Sequence, residues 1–267
     1  LVGLGGNDEL DGGAGADIML GGDGNDVYFV DNAGDTITEL LDGGLDIIYS
    51  TSSYTLGDYQ ENLMLTGSAA INGTGSAQDN EILGNSADNT LDGGAGADVM
   101  RGGKGNDTYL VDNVNDMIVE ASGAGVDQVI SSSDFTLWDS DVENLTLTGT
   151  GNLNGTGNSS DNIINGNDGD NVLVGMGGND TINGGSGDDV IYGNGTGTSG
   201  TPLSNTLVNG LGGSAGFGEN NLQQLSAAGS NGIDLTAVFG SVGVKLAGRH
   251  WTSFRIGEDG KVIFYKA

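Results

Sequence analysis

Aspartates nine residues apart, inside Gly-Gly-x-Gly-x-Asp frames, leave this chain few folds to choose from. Asp8, Asp17, Asp26 and Asp35 keep that spacing from the first line. The frames run GLGGNDELD (Gly3–Asp11), GGAGADIML (Gly12–Leu20) and GGDGNDVYF (Gly21–Phe29), then the degenerate VDNAGDTIT (Val30–Thr38). The register returns at Asp98, Asp107 and Asp116, and again at Asp180 and Asp189. Nine residues fits neither a helix nor a heptad. It is half of an eighteen-residue coil alternating a short strand with a tight turn.

The eighth position of each frame is large and apolar: Leu10, Met19, Tyr28, Ile37, Met100, Tyr109, Ile118, Ile182 and Ile191. One inward apolar side chain per half-coil predicts a core two side chains wide, too thin to hold the coil alone. Glycine tolerates positive φ and exposes its carbonyl, and the sixth-position aspartate adds an anionic oxygen. Each turn therefore offers only oxygen ligands, the preference of Ca²⁺. Frames eighteen residues apart stack on one edge, which places Asp8 over Asp26 and Asp17 over Asp35. Parallel strands lie about 4.8 Å apart, so two stacked turns can share one ion. Without it their carboxylates repel.

These frames resemble the repeats-in-toxin (RTX) calcium-binding β-roll over most of residues 1–195. The resemblance implies an all-β chain: a right-handed parallel β-roll or β-solenoid with Ca²⁺ between stacked turns, followed by a small C-terminal antiparallel β segment. It also implies that second- and fourth-position carbonyls and the sixth-position carboxylate bind calcium. Carried over, the sets are Gly13, Gly15 and Asp17; Gly22, Gly24 and Asp26; Gly94, Gly96 and Asp98; Gly103, Gly105 and Asp107; and Gly185, Gly187 and Asp189. Asp8 and Asp180 keep Gly6 and Gly178 but have Leu4 and Met176 at the second position, and Asp35 and Asp116 complete the set in the degenerate frames. On the order of 5–10 ions are expected.

Four frames carry asparagine at the sixth position: Asn80, Asn89, Asn162 and Asn171, each preceded by an aspartate (Asp79, Asp88, Asp161, Asp170). Alternation along a strand sends neighbours in different directions, so those aspartates are expected to point away from the ion. These turns are read as mostly metal-free and held by amide hydrogen bonds. Their apolar eighth positions (Ile82, Leu91, Ile164, Leu173) carry the coil through them.

A longer period overlays the first. VDNAGDTITE (Val30–Glu39) returns as VDNVNDMIVE (Val111–Glu120), and ENLMLTG (Glu61–Gly67) as ENLTLTG (Glu143–Gly149). The intervening stretches Asp46–Leu56 and Asp127–Trp138 alternate and are rich in β-branched and aromatic residues. They are read as wider, metal-poor coils of the same solenoid. The expected organisation is a solenoid over 1–195, a linker or cap over 196–205 containing the lone Pro202, and a C-terminal β segment over 206–267. Within that tail, Trp251–Ala267 reads as a hairpin turning at Glu258-Asp259-Gly260. Arg249–Phe264 is similar to the opening of nidogen-like extracellular domains. The tail sheet looks incomplete, so its missing strands are expected from a continuation of the chain or from another copy, by head-to-tail assembly or strand exchange.

Net charge is −30, and five of the seven basic residues lie in the last quarter. A nucleic-acid partner is excluded by that balance, while divalent cations would relieve the self-repulsion of the first two hundred residues. Cysteine is absent, so there is no disulfide framework. No apolar run reaches membrane-spanning length. The chain opens without Met inside a repeat frame, and is read as a piece of a longer protein.

Catalysis finds little support. His250 is the lone histidine, and calcium ligation accounts for the carboxylate pairs. The expected role is therefore non-enzymatic: a calcium-dependent structural or adhesive module of a secreted bacterial surface or extracellular filament protein, with a cell-surface or polysaccharide ligand as a candidate partner. The alternative is the calcium-dependent folding appendage of a secreted protease, lipase or polysaccharide epimerase. The resemblance implies export through low-calcium cytosol and folding outside the cell.

Overall fold

The computed structural model describes residues 1–193 and, beyond them, the backbone of six short strands between Thr206 and Tyr265. Every regular element among the described residues is a β-strand, and no described helix is long and apolar enough to cross a membrane. The chain divides into two compact units, Leu1–Thr146 and Leu147–Ala267.

In the first unit one sheet stacks seven strands in parallel: Glu9–Asp11, Val27–Val30, Ile47–Ser50, Asn62–Leu65, Glu81–Leu83, Val99–Arg101 and Met117–Ile118. Its register places Leu10, Tyr28, Ile48, Leu63, Ile82, Met100 and Ile118 in one buried column. A second column runs through Gly73, Leu91, Tyr109 and Val129. The two columns meet: a Cβ on Gly73 would lie 2.9 Å from Ile82 and 3.0 Å from Leu63. At the start of the chain, Val2–Gly5, Ile18–Asp23 and Thr36–Thr38 form a third parallel sheet that pairs Met19 with Ile37.

Apolar eighth positions therefore fill the interior. Burial is complete for Met19, Tyr28, Ile82, Leu91, Met100 and Tyr109. Ile37 is only half-buried, in the last strand of its short sheet. Two such side chains per coil gain little against the ordering of a whole coil, so hydrogen bonds between coils carry much of the organisation.

The stretches between the nonapeptide blocks continue the same columns through Ile48, Leu63 and Val129. Their coils are not uniformly wider, as the sequence suggested. Equivalent side chains are 20 residues apart from Asp26 to Asp46, then only 15 from Asp46 to Glu61. In the short coil a glutamate takes the acceptor place, Glu61 Oε2 accepting the Asp46 N–H.

In the second unit, Asn154–Thr156, Val172–Val174 and Val190–Tyr192 stack in parallel with Gly155, Leu173 and Ile191 in register. Ile163–Asn165, Thr181–Asn183 and Thr206–Leu207 form another parallel ladder. The 196–205 linker lies outside the described residues. In the tail, Ser253–Ile256 and Val262–Tyr265 pair antiparallel as the hairpin pattern predicts, with Ile233–Asp234 on the free edge of Ser253–Ile256. Val244–Leu246 pairs antiparallel with Arg249–Trp251.

Candidate metal centres along the coil

The turn geometry follows the frame position by position. Second- and fourth-position residues take left-handed φ, as at Gly94 (76°) and Gly96 (141°). Leu4 (84°) and Met176 (72°) are held in the same conformation without glycine's freedom. Carbonyls of these positions face the next coil: a Cβ on Gly22 would run into Leu4 O and one on Gly24 into Gly6 O, and the asparagine frames do the same with Gln78 O and Asn85 O. First-position glycines are needed for a different reason, namely room. A Cβ on Gly93 would sit 2.5 Å from Asp98 Oδ2, and one on Gly3 2.6 Å from Asp8 Oδ2.

Sixth-position side chains form a ladder between coils. The Asp8 N–H donates to Asp26 Oδ1 (2.8 Å) and the Asp17 N–H to Asp35 Oδ1 (3.0 Å), so both stacked pairs meet as expected. The Asn80 N–H donates to Asp98 Oδ1 (2.7 Å), Asn89 to Asp107 (2.7 Å), Asn162 to Asp180 (3.1 Å) and Asn171 to Asp189 (2.9 Å). One oxygen of each accepting carboxylate is thereby used, while Asp8 and Asp17 enter the ladder only through their N–H groups. Oδ2 is buried without a partner in Asp8, Asp17, Asp26, Asp98, Asp107, Asp180 and Asp189, and in Asp46 and Asp127. A buried anionic oxygen without a donor is costly. The ion pair between described residues, Arg101 to Glu81 at 3.1 Å, lies on the surface and relieves none of them.

Asparagine turns differ in chemistry. Asn89 Nδ2 donates to Ile71 O (2.6 Å) while its Oδ1 accepts from the Asn85 N–H (2.8 Å). Asn171 repeats this with Leu153 O (2.8 Å) and the Asn167 N–H (3.0 Å). The amide supplies from within the chain the positive end that the carboxylate lacks. Preceding aspartates do point outward: Asp79, Asp88, Asp161 and Asp170 are exposed, each accepting a backbone N–H from the following coil at 2.7–2.8 Å.

Asp35 and Asp116 are placed unlike the other aspartates of the set. Asp35 Oδ2 accepts from the Asp31 and Asn32 N–H groups (3.2 Å each), and Asp116 Oδ2 from the Asn113 N–H (3.2 Å). Neither has an orphaned oxygen.

Six acidic residues outside the nonapeptide register belong to the same ladder or flank it. Asp26 N–H donates to Asp46 Oδ1 (2.7 Å) and Asp46 N–H to Glu61 Oε2 (3.0 Å); Asp107, Asp127 and Glu143 repeat this at 2.7 and 2.8 Å. Carboxylate oxygens of Asp26, Glu39 and Asp46 lie within 4.8 Å of one another, as do those of Asp107, Glu120 and Asp127. Two charges at that distance repel by roughly 3.5 kcal/mol at an effective dielectric of about 20. The two-residue insertion hides Asp46 and Asp127 from a nine-residue scan. Their signal was the superrepeat, which carries three of these acids in each of its two copies.

Burial sets the electrostatics. Desolvation raises Asp98, Asp107 and Asp180 to about 6, opposed by the backbone N–H each accepts and reinforced by neighbouring carboxylates. Asp46 rises to about 6 and Glu39 and Glu120 to about 7, again chiefly through desolvation. Asp127 and Asp189 are pushed up for the same reason.

Stacked turns with inter-coil carbonyls and buried, unpartnered carboxylates define a parallel β-solenoid built around divalent cations. The donors are all hard oxygens, which fits Ca²⁺. Residues 1–37, 74–109 and 156–191 match the RTX calcium-binding nonapeptide repeat family. These three blocks thus carry RTX calcium-binding nonapeptide repeats of the hemolysin type, and their stacked turns form a calcium-binding β-roll. No curated protein and no solved structure matches it. The family match stops between the blocks, yet in the first unit the coil runs on through residues 38–73.

Aspartates of the matched blocks would hold the ion with the carbonyls beside them, and the ion would supply the positive charge these oxygens lack. The chain's own residues set the spacing, through the sixth-position ladder, and exclude water, through the apolar columns.

Proposed function

We propose that this chain is a calcium-dependent structural module of a secreted bacterial surface or extracellular filament protein, with an adhesive rather than a catalytic role. It stays unfolded where calcium is scarce and folds outside the cell. The orphaned, buried oxygen repeated at the sixth position of turn after turn carries this reading. A fold with that many unneutralised interior anions is poised to depend on the cation. The superrepeat favours an extended structural segment over a short folding appendage of an enzyme, because it lengthens the coil beyond a short roll.

Calcium titration of the stripped chain, followed by far-ultraviolet circular dichroism and small-angle scattering, tests the folding. Cooperative compaction is expected, and a chain equally compact without calcium would overturn the reading. Light scattering against protein concentration tests assembly. Calcium-dependent growth supports the filament role, whereas strictly monomeric behaviour up to millimolar protein favours the enzyme appendage.

A further inference from the structure

We propose that Glu39 and Glu120 build two cation sites of a second kind, each with three carboxylates, that take up calcium ahead of the ordinary turns. The proposal rests on the calcium reading above and goes beyond its Gly-Gly-x-Gly-x-Asp ligand set. Each glutamate stands where the regular frame has its first-position glycine. It is folded inward, 7% and 8% exposed respectively. Its carboxylate joins two sixth-position aspartates from successive coils, Asp26 with Asp46 and Asp107 with Asp127, all within 4.8 Å. Those four aspartates are at most 1% exposed, and every one has an oxygen with no partner.

A tyrosine fixes each glutamate. Tyr28 and Tyr109 are fully buried, and their hydroxyls donate to Glu39 Oε1 and Glu120 Oε1. In the second copy the Gly102 N–H donates to the Tyr109 hydroxyl (2.7 Å), holding it at the turn. In front of Gly21, the space a Cβ would fill is taken by Tyr28 Oη, Asp26 Oδ2 and Glu39 Oε1; in front of Gly102, by Tyr109 Oη and Asp107 Oδ2. Side-chain oxygens thus converge where regular turns present one.

Oxygens bound to one calcium lie about 2.3–2.6 Å from it, so ligands up to about 5 Å apart can share an ion. The 4.8 Å span fits that reach. Affinity in oxygen sites rises with the number of charged ligands. Three carboxylates against one or two in the ordinary turns therefore rank these sites first, and favour a trivalent lanthanide still more. One such site falls in each of the two superrepeat copies.

Terbium is the probe, because a tyrosine hydroxyl beside the ion sensitises its emission. In the full chain at neutral pH, the first two equivalents of terbium should give tyrosine-sensitised luminescence, displaced by excess calcium. Tyr28→Phe with Tyr109→Phe should remove most of that signal. Glu39→Gln with Glu120→Gln should weaken the tightest class of two calcium ions about tenfold or more by calorimetry. Asp98→Asn with Asp180→Asn should leave that class intact and reduce only the weaker sites. Retention of the two tightest ions in the glutamine variant overturns the inference while the calcium module stands. A wild-type chain that binds no calcium overturns both. If the glutamine variant fails to fold even in saturating calcium, the tyrosine variant decides alone: unchanged early terbium emission there refutes the placement.

Discussion

Stripped of metal, the coil should be an acid-stable fold that melts towards neutral pH, opposite to the usual acid lability of proteins. Asp46, Asp98, Asp107 and Asp180 rise from 3.8 to about 6, and Glu39 and Glu120 from 4.5 to about 7. A raised folded-state value means the folded chain binds the proton more tightly than the unfolded chain does. Each group's contribution is therefore complete below about pH 4 and lost as pH climbs through 6–7. Two units correspond to roughly 3 kcal/mol per carboxylate. Neighbours within one cluster share protons, so these do not add, but two independent groups already rival the roughly 5–15 kcal/mol that stabilises a domain. Resin-stripped protein, scanned from pH 4.5 to 8 by circular dichroism and scattering, should expand with a midpoint between 6 and 7. At 1 M salt the Debye length is about 3 Å, which screens the net charge of −30 but not the buried groups, so the midpoint should stay. Calcium at pH 7.5 should restore the fold. A stripped chain more compact at pH 8 than at 5, or a transition abolished by salt, would refute the reasoning.

Three further perturbations are sharp. Leu4→Gly and Met176→Gly relieve left-handed φ values of 84° and 72° and should each stabilise the calcium-bound chain by about 1 kcal/mol in denaturant melts. Asn171→Asp replaces two amide N–H donors, to Leu153 O and Asn167 Oδ1, by a carboxyl group that is protonated at acid pH and can serve only one of them. The metal-free chain at acid pH should lose roughly 2–3 kcal/mol by urea unfolding, and unchanged stability there would mean the asparagine ladder is incidental. Ile82→Ala opens the column between Leu63 and Met100 and should cost about 2–5 kcal/mol in calcium, with calcium stoichiometry at calorimetric saturation unaltered.

Much of this was legible in residue order because the fold is local and periodic. The stacking of Asp8 on Asp26 follows from eighteen-residue spacing alone, and the outward turn of Asp79 and Asp88 from strand alternation. What escaped the periodic reading lies where the period breaks. A 20-residue coil moves Asp46 and Asp127 out of register, and a shorter coil, of 15 residues in the first copy and 16 in the second, replaces aspartate by glutamate. Glu39 and Glu120 look like loop residues in the sequence. Only the fold shows that the tyrosine eleven residues earlier turns them inward. Asp35 and Asp116 kept the nine-residue spacing, yet their local chain supplies the N–H donors that a glycine turn withholds, so spacing alone could not separate them from Asp17 and Asp98.

The contrast between aspartate and asparagine turns explains how one coil can mix metal-holding and metal-free segments. Both residues present an oxygen of the same size at the same place, and both keep the ladder to the adjacent coil. They differ in partners: the oxygen facing the first-position glycine is unpartnered in Asp98 and Asp107 but accepts the Asn85 N–H in Asn89, and towards the preceding coil Asp107 Oδ1 accepts an N–H where Asn89 Nδ2 donates to a carbonyl. In the asparagine frames that run from Gly75 and from Gly84, the second and fourth positions no longer need left-handed φ, and Ser76, Gln78, Asn85 and Ala87 stand there. Loss of the carboxylate and loss of the left-handed glycines thus go together in these two frames. A segment such as Gly75–Asp92 can then remain folded at lower calcium than the aspartate turns beside it. It offers those turns a preformed edge, since Asn80 and Asn89 already aim their N–H groups at Asp98 and Asp107. Calcium-driven folding should accordingly spread outward from the asparagine coils, with hydrogen exchange at Ile82 and Leu91 slowing at lower calcium than at Met19.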